Sequence, residues 1–219
     1  MLANYIISEI KAQLPFEPNE QQEALIETLS NFLLSKDKKK IFLLKGYAGT
    51  GKTSIISAMV KAMDELYQKN ILLAPTGRAT KVIANYAGMP AFTIHKKIYR
   101  QKSLADFHFQ LSENLHSNTL FIVDEASMIS ETSSDKIFGS GHLFEDLLEY
   151  VYEGNNCSLL LLGDTAQLPP VKEEKSPALD TERLKSYGLN VTEFTLTQVM
   201  RQALESGILY NATKLRNHL

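Results

Sequence analysis

Short apolar runs alternate with longer segments of helical spacing along this chain. The runs lie at residues 41–44, 71–74, 119–123 and 158–162, and we predict a further strand at 191–196. The runs contain no alternating polar positions, which is typical of strands that are buried on both faces. Apolar strands that alternate with helices predict a three-layer α/β fold, in which helices cover both sides of a mainly parallel sheet.

The helical segments carry apolar residues at intervals of three and four positions. They lie at residues 2–14, from Asn19 onward, at 54–63 and at about 78–86. Pro15 and Pro18 break the chain after the first helix, and Asn19 is a favoured N-cap for the second. The sequence therefore predicts that residues 1–35 form N-terminal helices ahead of the first strand.

Three segments lie outside this alternation. Residues 96–117 combine basic and aromatic side chains, which suits single-stranded nucleic acid because phosphates attract cations and bases stack on flat apolar faces. A plain surface hairpin explains this segment equally well. Residues 131–142 contain several serines and glycines and predict a mobile loop. The basic run at residues 36–40 is typical of a solvated loop, with a contact to a phosphate backbone as the alternative.

Composition narrows the class of protein. With 219 residues, 44% of them hydrophobic, the chain predicts a globular protein with a sizeable core. The net charge of −2 argues against a generally basic nucleic-acid binder, so any such binding needs a local groove. A single cysteine, Cys157, excludes a disulfide within the chain, and the N-terminus lacks a signal-peptide pattern. No apolar run approaches the roughly 18 residues of a membrane span. We therefore expect a cytoplasmic monomer without membrane contact.

Residues 46–53 read Gly-Tyr-Ala-Gly-Thr-Gly-Lys-Thr and fit the phosphate-binding pattern G-x-x-x-x-G-K-[ST]. A predicted strand precedes them and a predicted helix follows, as the chemistry requires. Glycines let successive N–H groups point at a phosphate chain, and the positive end of the helix adds to the attraction. Lys52 would contact the β- and γ-phosphates, and Thr53 would bind Mg²⁺. The predicted nucleotide-binding residues are Gly46, Ala48, Gly49, Thr50, Gly51, Lys52 and Thr53.

Further polar side chains follow the later strands. Asp124 and Glu125 end the strand at 119–123, where the first would hold Mg²⁺ and the second would orient and deprotonate a water. Gln167, beyond the next strand, has an amide that can donate and accept, which suits sensing a γ-phosphate or positioning water. Arg201 could supply a planar cation to the same phosphate, although an isolated arginine is more often a surface residue. Because ligands bind at the carboxyl ends of parallel strands, we expect one catalytic site there.

Together these motifs resemble those of the first motor domain of superfamily 1 DNA helicases of the RecD-like branch. The matching stretches are residues 46–53, 74–79, 93–95, 123–128, 163–171 and 196–202, with Gln21 ahead of them. The resemblance implies a RecA-like P-loop NTPase domain over residues 1–219, ATP hydrolysis with Mg²⁺, and translocation on single-stranded DNA, usually from 5′ to 3′. It also implies that Gln21 recognises adenine and that residues 96–117 form an inserted hairpin that helps to part strands.

The resemblance further implies a DNA-facing group of residues, namely Thr76, Gly77, Arg78, Thr93, His95 and Pro169. For His95, a satisfied structural histidine is an equally good explanation. The chain departs from the family at Met200, where an aromatic residue often stacks on adenine. Nothing after Arg201 resembles the later motifs, so we expect the second RecA-like domain, which brings a further arginine, to be absent. The 219 residues would then bind nucleotide and Mg²⁺, hydrolyse ATP slowly and not unwind DNA alone.

Two other functions fit part of the pattern. PhoH-like ATPases, for which RNA is the expected substrate, pair a similar glycine loop with Asp-Glu-Ala and a later Gly-Asp-x-x-Gln, but residues 75–79 and 199–202 suit a helicase better. The other alternative is a nucleotide-gated binding module without a motor role. A preference for RNA would favour the first, and full function after Glu125→Gln would favour the second.

Overall fold

The computed structural model describes residues 2–101, 108–130, 137–167, 170, 173 and 175–199. Its strands are β1 (Lys40–Gly46), β2 (Lys69–Ala74), β3 (Ala91–Thr93), β4 (Tyr99–Gln101), β5 (Phe109–Leu111), β6 (Thr119–Val123), β7 (Ser158–Gly163) and β8 (Asn190–Leu196). Its helices are α1 (Leu2–Ala12), α2 (Glu20–Leu34), α3 (Lys52–Glu65), α4 (Gly77–Ala87), α5 (Ile94–Ile98), α6 (Leu143–Glu153) and α7 (Thr181–Ser186). In the described part of the chain, no helix is long and apolar enough to cross a membrane.

Six strands form one sheet in the order β3-β2-β6-β7-β1-β8, and every neighbouring pair is parallel. Strand β1 lies between β7 and β8, so that Ile41 pairs with Leu159 on one side and Val191 on the other. All the predicted strands are present, and the prediction of a mainly parallel sheet is confirmed. The short edge strand β3 has no counterpart among the predicted strands.

Both faces of the sheet are covered by helices. Since successive residues of each central strand point to opposite sides, each strand contributes side chains to both layers of the core. In β1, Phe42 and Leu44 pack with helices α1 to α4 on one face. Ile41 and Leu43 pack on the other face in a second cluster with α5, α6 and α7. The two clusters make the three-layer RecA-like arrangement that the sequence predicts.

A small antiparallel hairpin, formed by β4 and β5, packs against the cluster on the second face. Tyr99 pairs with Leu111 and Gln101 with Phe109, so a hairpin is present within the predicted segment 96–117, although residues 96–98 belong to α5. The connecting residues 102–107 lie outside the described part of the chain. Residues 137–139, part of the predicted mobile loop at 131–142, are anchored to this hairpin. Phe109 N donates to Ile137 O at 2.8 Å, and Gly139 N donates to Phe109 O at 2.8 Å.

A buried carboxylate fixes the base of this hairpin to helix α6. Asp146 accepts hydrogen bonds from Tyr99 Oη at 2.6 Å, Ser140 N at 3.0 Å and Ser140 Oγ at 2.7 Å. Burial and the neighbouring carboxylate together raise the pKa of Tyr99, so its hydroxyl stays protonated and remains a donor. The residues just before α6 are thereby tied to the base of the hairpin.

Candidate functional site

The carboxyl ends of β1, β6 and β7 surround a cleft of about 520 Å³. The glycine loop after β1 lines one side, with Lys52 and Thr53 at the start of α3. Asp124 and Glu125 after β6 and Gln167 after β7 line the other side. The structure therefore brings together five of the predicted catalytic and metal-binding residues, which follow three separate strands.

The glycine loop has the shape that a phosphate chain requires. Gly49 and Gly51 have φ angles of 79° and 91°, a left-handed region that suits glycine because it carries no Cβ. Lys52 Nζ donates to Gly46 O at 2.7 Å and to Tyr47 O at 2.9 Å, so the ammonium group lies across the mouth of the loop. Helix α3 begins at Lys52 and presents its first N–H groups to the same space.

Helix α2 braces this loop through Gln22, a residue that the sequence motifs do not single out. Gln22 is 1% exposed, and its Nε2 donates to Thr50 O at 3.0 Å. Its Oε1 accepts from Asn19 N at 3.1 Å, and Asn19 Oδ1 accepts from Gln22 N at 2.9 Å, which completes a capping box. Asn19 is therefore the N-cap that the sequence predicts. A glutamine three residues after an N-cap asparagine is the signal that could have identified Gln22.

Asp124 and Thr53 supply hard oxygen ligands of the kind that Mg²⁺ prefers. Within the described residues, no group of three or more His, Cys, Asp or Glu side chains could hold a metal, so the fit is to an ion that shares its ligands with phosphate and water. Asp124 is 8% exposed, and its Oδ1 accepts from Glu125 N at 2.9 Å. Burial raises the pKa of Asp124 to about 6. The hydrogen bond from Glu125 N and the charge of Lys52 oppose this rise, and the Glu125 carboxylate adds to it.

This raised pKa makes the stability of the metal-free protein depend on pH. Below the ordinary pKa of 3.8, Asp124 is protonated whether the chain is folded or unfolded. Between that value and about 6, Asp124 ionises in the unfolded chain but stays largely protonated in the folded one, so the free energy of unfolding falls as the pH rises. Above about 6 the carboxyl is ionised in both states, and the decrease in the free energy of unfolding stays constant. We expect Asp124→Asn to raise the free energy of unfolding by at most about 3 kcal/mol near pH 8 and hardly at all near pH 4.

Urea unfolding in EDTA at several pH values measures this difference. Asp64→Asn removes an exposed carboxyl of α3 and controls for the change in net charge. A stability difference between wild type and Asp124→Asn that is equal at every pH would contradict the assignment.

Glu125 and Gln167 meet at the edge of the cleft. Gln167 Nε2 donates to Glu125 Oε2 at 2.9 Å, and Ser127 Oγ donates to Gln167 Oε1 at 2.6 Å. Glu125 has a left-handed backbone with φ 55° and ψ 38°, which is uncommon for a residue with a Cβ and costs on the order of 1 kcal/mol. The strained backbone and the glutamine contact together hold the carboxylate at the cleft.

Gln21 lies away from the described lining of the cleft. Its Nε2 donates to Thr197 Oγ1 at 3.1 Å and to Thr195 O at 3.3 Å. Its Oε1 accepts from Thr197 N at 2.9 Å and from Gln198 N at 3.0 Å. The side chain thus ties α2 to the residues that follow β8. Arg201, predicted to contact the γ-phosphate, and Pro169, predicted to face DNA, lie outside the described residues.

The predicted DNA-facing residues after β2 and β3 lie side by side, because these strands pair with Ala74 opposite Thr93. Thr76 is the N-cap of α4, where its Oγ1 accepts from Ala79 N at 3.2 Å, and exposed Gly77 and Arg78 follow it. Thr93 is the N-cap of α5 in the same way, with Oγ1 accepting from Lys96 N at 3.2 Å. Helix α4 also borders the nucleotide cleft through Val82 and Tyr86, two residues that the motifs do not identify.

His95 belongs to an aromatic cluster at the base of the hairpin. Its ring centroid lies 5.1 Å from that of Phe138 and 5.7 Å from that of Tyr99. Burial lowers the pKa of His95, which keeps the imidazole neutral at neutral pH. These contacts favour the structural role for His95 that the sequence leaves open.

Comparison with known proteins gives relatives over most of the chain. A family model described as "AAA domain" matches residues 17–218. The ATP-dependent RecD2 DNA helicase of Deinococcus radiodurans is 29% identical, over 89% of this chain and 24% of its own length. The ATP-dependent DNA helicase dda of Enterobacteria phage T4 is 30% identical, over 83% of this chain and 39% of its own length. The chain therefore spans about a quarter to two fifths of these relatives.

Among solved structures, the Pif1 helicase from Bacteroides in complex with ADP-AlF3 and ssDNA has a similar fold. Its TM-score is 0.53 at 19% identity, and the match covers 92% of this chain and 47% of that one. The likeness confirms the RecA-like P-loop fold.

Proposed function

Since this chain belongs to the AAA domain family, with RecD-like superfamily 1 DNA helicases among its relatives, we propose that it is the ATP-driven motor domain of a DNA helicase. In this proposal the domain binds ATP with Mg²⁺ and hydrolyses it, and the cycle of binding and hydrolysis moves the protein along single-stranded DNA. The RecD-like resemblance favours movement from 5′ to 3′.

The convergence of five polar groups on one cleft carries this proposal. Lys52 leaves its loop carbonyls and contacts the β- and γ-phosphates, while Thr53 and Asp124 hold Mg²⁺. Bound Mg²⁺ neutralises charge on the phosphate oxygens. Glu125 accepts a proton from the attacking water, and Gln167 donates to the γ-phosphate. In the same proposal Arg201 contacts the γ-phosphate, and Gln21 leaves its hydrogen bonds with residues 195–198 to contact adenine.

Single-stranded DNA is the proposed polymer. Thr76, Gly77, Arg78 and Thr93 lie after neighbouring strands, beside the helix that borders the nucleotide cleft, so a bound strand there would be close to ATP. The Bacteroides Pif1 relative of this fold was crystallised with ADP-AlF3 and ssDNA. Pro169 completes the proposed DNA side, while His95 supports the base of the hairpin of β4 and β5, and this hairpin helps to part strands.

We also propose that these 219 residues act as the first of two RecA-like domains, because they match only a minor part of the helicases to which they are similar. A second domain would contribute another arginine to the γ-phosphate and the other half of the DNA track. The 219-residue chain then hydrolyses ATP slowly and does not unwind DNA by itself.

Binding and turnover assays on the 219-residue chain test both parts of the proposal. We expect it to bind fluorescent ADP and a non-hydrolysable ATP analogue with Mg²⁺, and to bind labelled oligo(dT) more tightly than oligo(U) of equal length. Slow ATP turnover and no unwinding of a tailed duplex should accompany this binding. Loss of all nucleotide binding would refute the motor proposal, and a preference for oligo(U) would favour a PhoH-like ATPase. Fast DNA-stimulated turnover would refute the need for a second domain.

A further inference from the structure

Three side chains form a continuous hydrogen-bonded row along the edge of the cleft. Ser127 Oγ donates to Gln167 Oε1 at 2.6 Å, and Gln167 Nε2 donates to Glu125 Oε2 at 2.9 Å. Ser127 and Glu125 belong to the segment after β6, whereas Gln167 follows β7. The row therefore joins the ends of two neighbouring strands.

The chemistry of the outer groups fixes the direction of the row. An ionised carboxylate accepts hydrogen bonds and cannot donate, so Glu125 must face the amide nitrogen of Gln167. The amide oxygen then points to Ser127, whose hydroxyl can donate to it. Turning the amide over would place its oxygen against the carboxylate, where neither group has a hydrogen to offer.

Ser127 is held firmly enough to set the orientation of its partner. It is 3% exposed and lies in the short 3₁₀ helix Ala126–Met128. Ser176 Oγ closes this turn by hydrogen-bonding to Ala126 O at 3.1 Å and to Ile129 O at 2.9 Å. Gln167, by contrast, is exposed, so a fixed hydroxyl contacts an otherwise adjustable side chain.

We propose that Ser127 is a positioning residue that makes Gln167 act only as a hydrogen-bond donor toward the nucleotide. This inference rests on the proposed ATPase function. Nε2 carries a second hydrogen, which is the means by which the amide contacts an oxygen of the γ-phosphate. Oε1 is directed toward Ser127, which lines the neighbouring cavity rather than the cleft, so the attacking water gives its hydrogen bond to Glu125. The sequence leaves open whether Gln167 senses the γ-phosphate or positions water, and this proposal assigns it the first role.

Replacing the hydroxyl tests this role in turnover. We expect Ser127→Ala to lower kcat by about 3- to 10-fold, the effect of losing one hydrogen bond in the transition state. Its affinity for ADP, which lacks the γ-phosphate, should not change. Ser127→Thr keeps a hydroxyl and should retain most of the wild-type kcat. Ser57→Ala is the matched control, because Ser57 is equally buried and, among the described residues, no hydrogen-bond partner reaches its Oγ.

A double-mutant cycle separates positioning from a general structural effect. If Ser127 acts through Gln167, then adding Ser127→Ala to Gln167→Ala should lower kcat no further. Equal and additive losses in both backgrounds would overturn the proposal. Should Ser127→Ala fail to fold, Ser127→Cys replaces it, since a thiol is a weaker donor of similar size.

An NMR measurement tests the contact even without turnover. The side-chain amide signals of Gln167, assigned by their loss in Gln167→Ala, should shift in Ser127→Ala and stay near their wild-type positions in Ser57→Ala and Ser127→Thr. Such a shift in a chain that never hydrolyses ATP would support the positioning role and refute the proposed ATPase function. Unchanged Gln167 signals in Ser127→Ala would overturn the positioning role, whatever the turnover.

Discussion

Lys52→Ala is expected to abolish detectable ATP turnover and to lower the affinity for ADP and ATP analogues by about 10²- to 10³-fold. The reason is that a phosphate chain in the loop would lose its one ammonium partner from this segment, and removing one member of a desolvated, hydrogen-bonded charge pair costs roughly 2 to 5 kcal/mol. The substitution also removes the hydrogen bonds from Nζ to Gly46 O and Tyr47 O, which span the mouth of the loop. Titration with a fluorescent nucleotide, with Mg²⁺ present, measures the effect.

Lys61→Ala provides the matched control, since Lys61 is exposed on the same helix and its loss changes the net charge equally. We expect its nucleotide affinity to equal that of wild type. Thermal unfolding of both variants without nucleotide separates a disturbed loop from a lost ligand contact. Wild-type ADP affinity in a folded Lys52→Ala variant would mean that the cleft does not bind phosphates as proposed.

Glu125→Gln is expected to lower kcat by about 10²- to 10⁴-fold, the usual range for removing a general base, while nucleotide affinity stays within a few-fold of wild type. The change is nearly isosteric. A glutamine at position 125 can still accept the hydrogen bond from Gln167 Nε2 through its own oxygen, so the geometry of the row is kept and only the basic group is lost. Steady-state turnover and nucleotide titration on the same preparation give both quantities.

Glu149→Gln, at an exposed position of α6, makes the same chemical change away from the cleft and should leave kcat unaltered. If Glu125→Gln bound nucleotide normally and kept the wild-type kcat, the domain would be better described as a nucleotide-gated binding module.

The sequence predicts the fold well where apolar runs are continuous. Strands β6 and β7 are fully buried, β1 is nearly so and β2 is buried over its last three residues, so their apolar composition alone identifies them. Strand β3 escapes because three residues, none of them fully buried, make no pattern. The sequence also holds a signal for helix α6, since its buried apolar residues recur at helical spacing, namely Phe144, Leu147, Leu148 and Val151. The serine and glycine residues just before this helix favour a loop, and the helix itself is not among the predicted elements.

The candidate site is predicted in part for a different reason. Lys52, Asp124 and Gln167 follow separate strands, and the rule that ligands bind at carboxyl ends places them together without knowledge of packing. The rule cannot distinguish Gln21 from Gln22, because the sequence does not show that Gln22 is buried against the loop while Gln21 hydrogen-bonds to residues 195–198. Nor does any local pattern show that Ser127 contacts a residue 40 positions away.

The buried Gln22 has a practical consequence for where this domain begins. A version trimmed to start at β1 would retain the whole G-x-x-x-x-G-K-T signature, yet the Thr50 carbonyl would lose the amide that holds it. The sequence motif would be complete, but helix α2, which braces the loop, would be missing. The smallest unit able to keep the loop in shape therefore starts upstream of Asn19, so that the capping box and its glutamine remain in place.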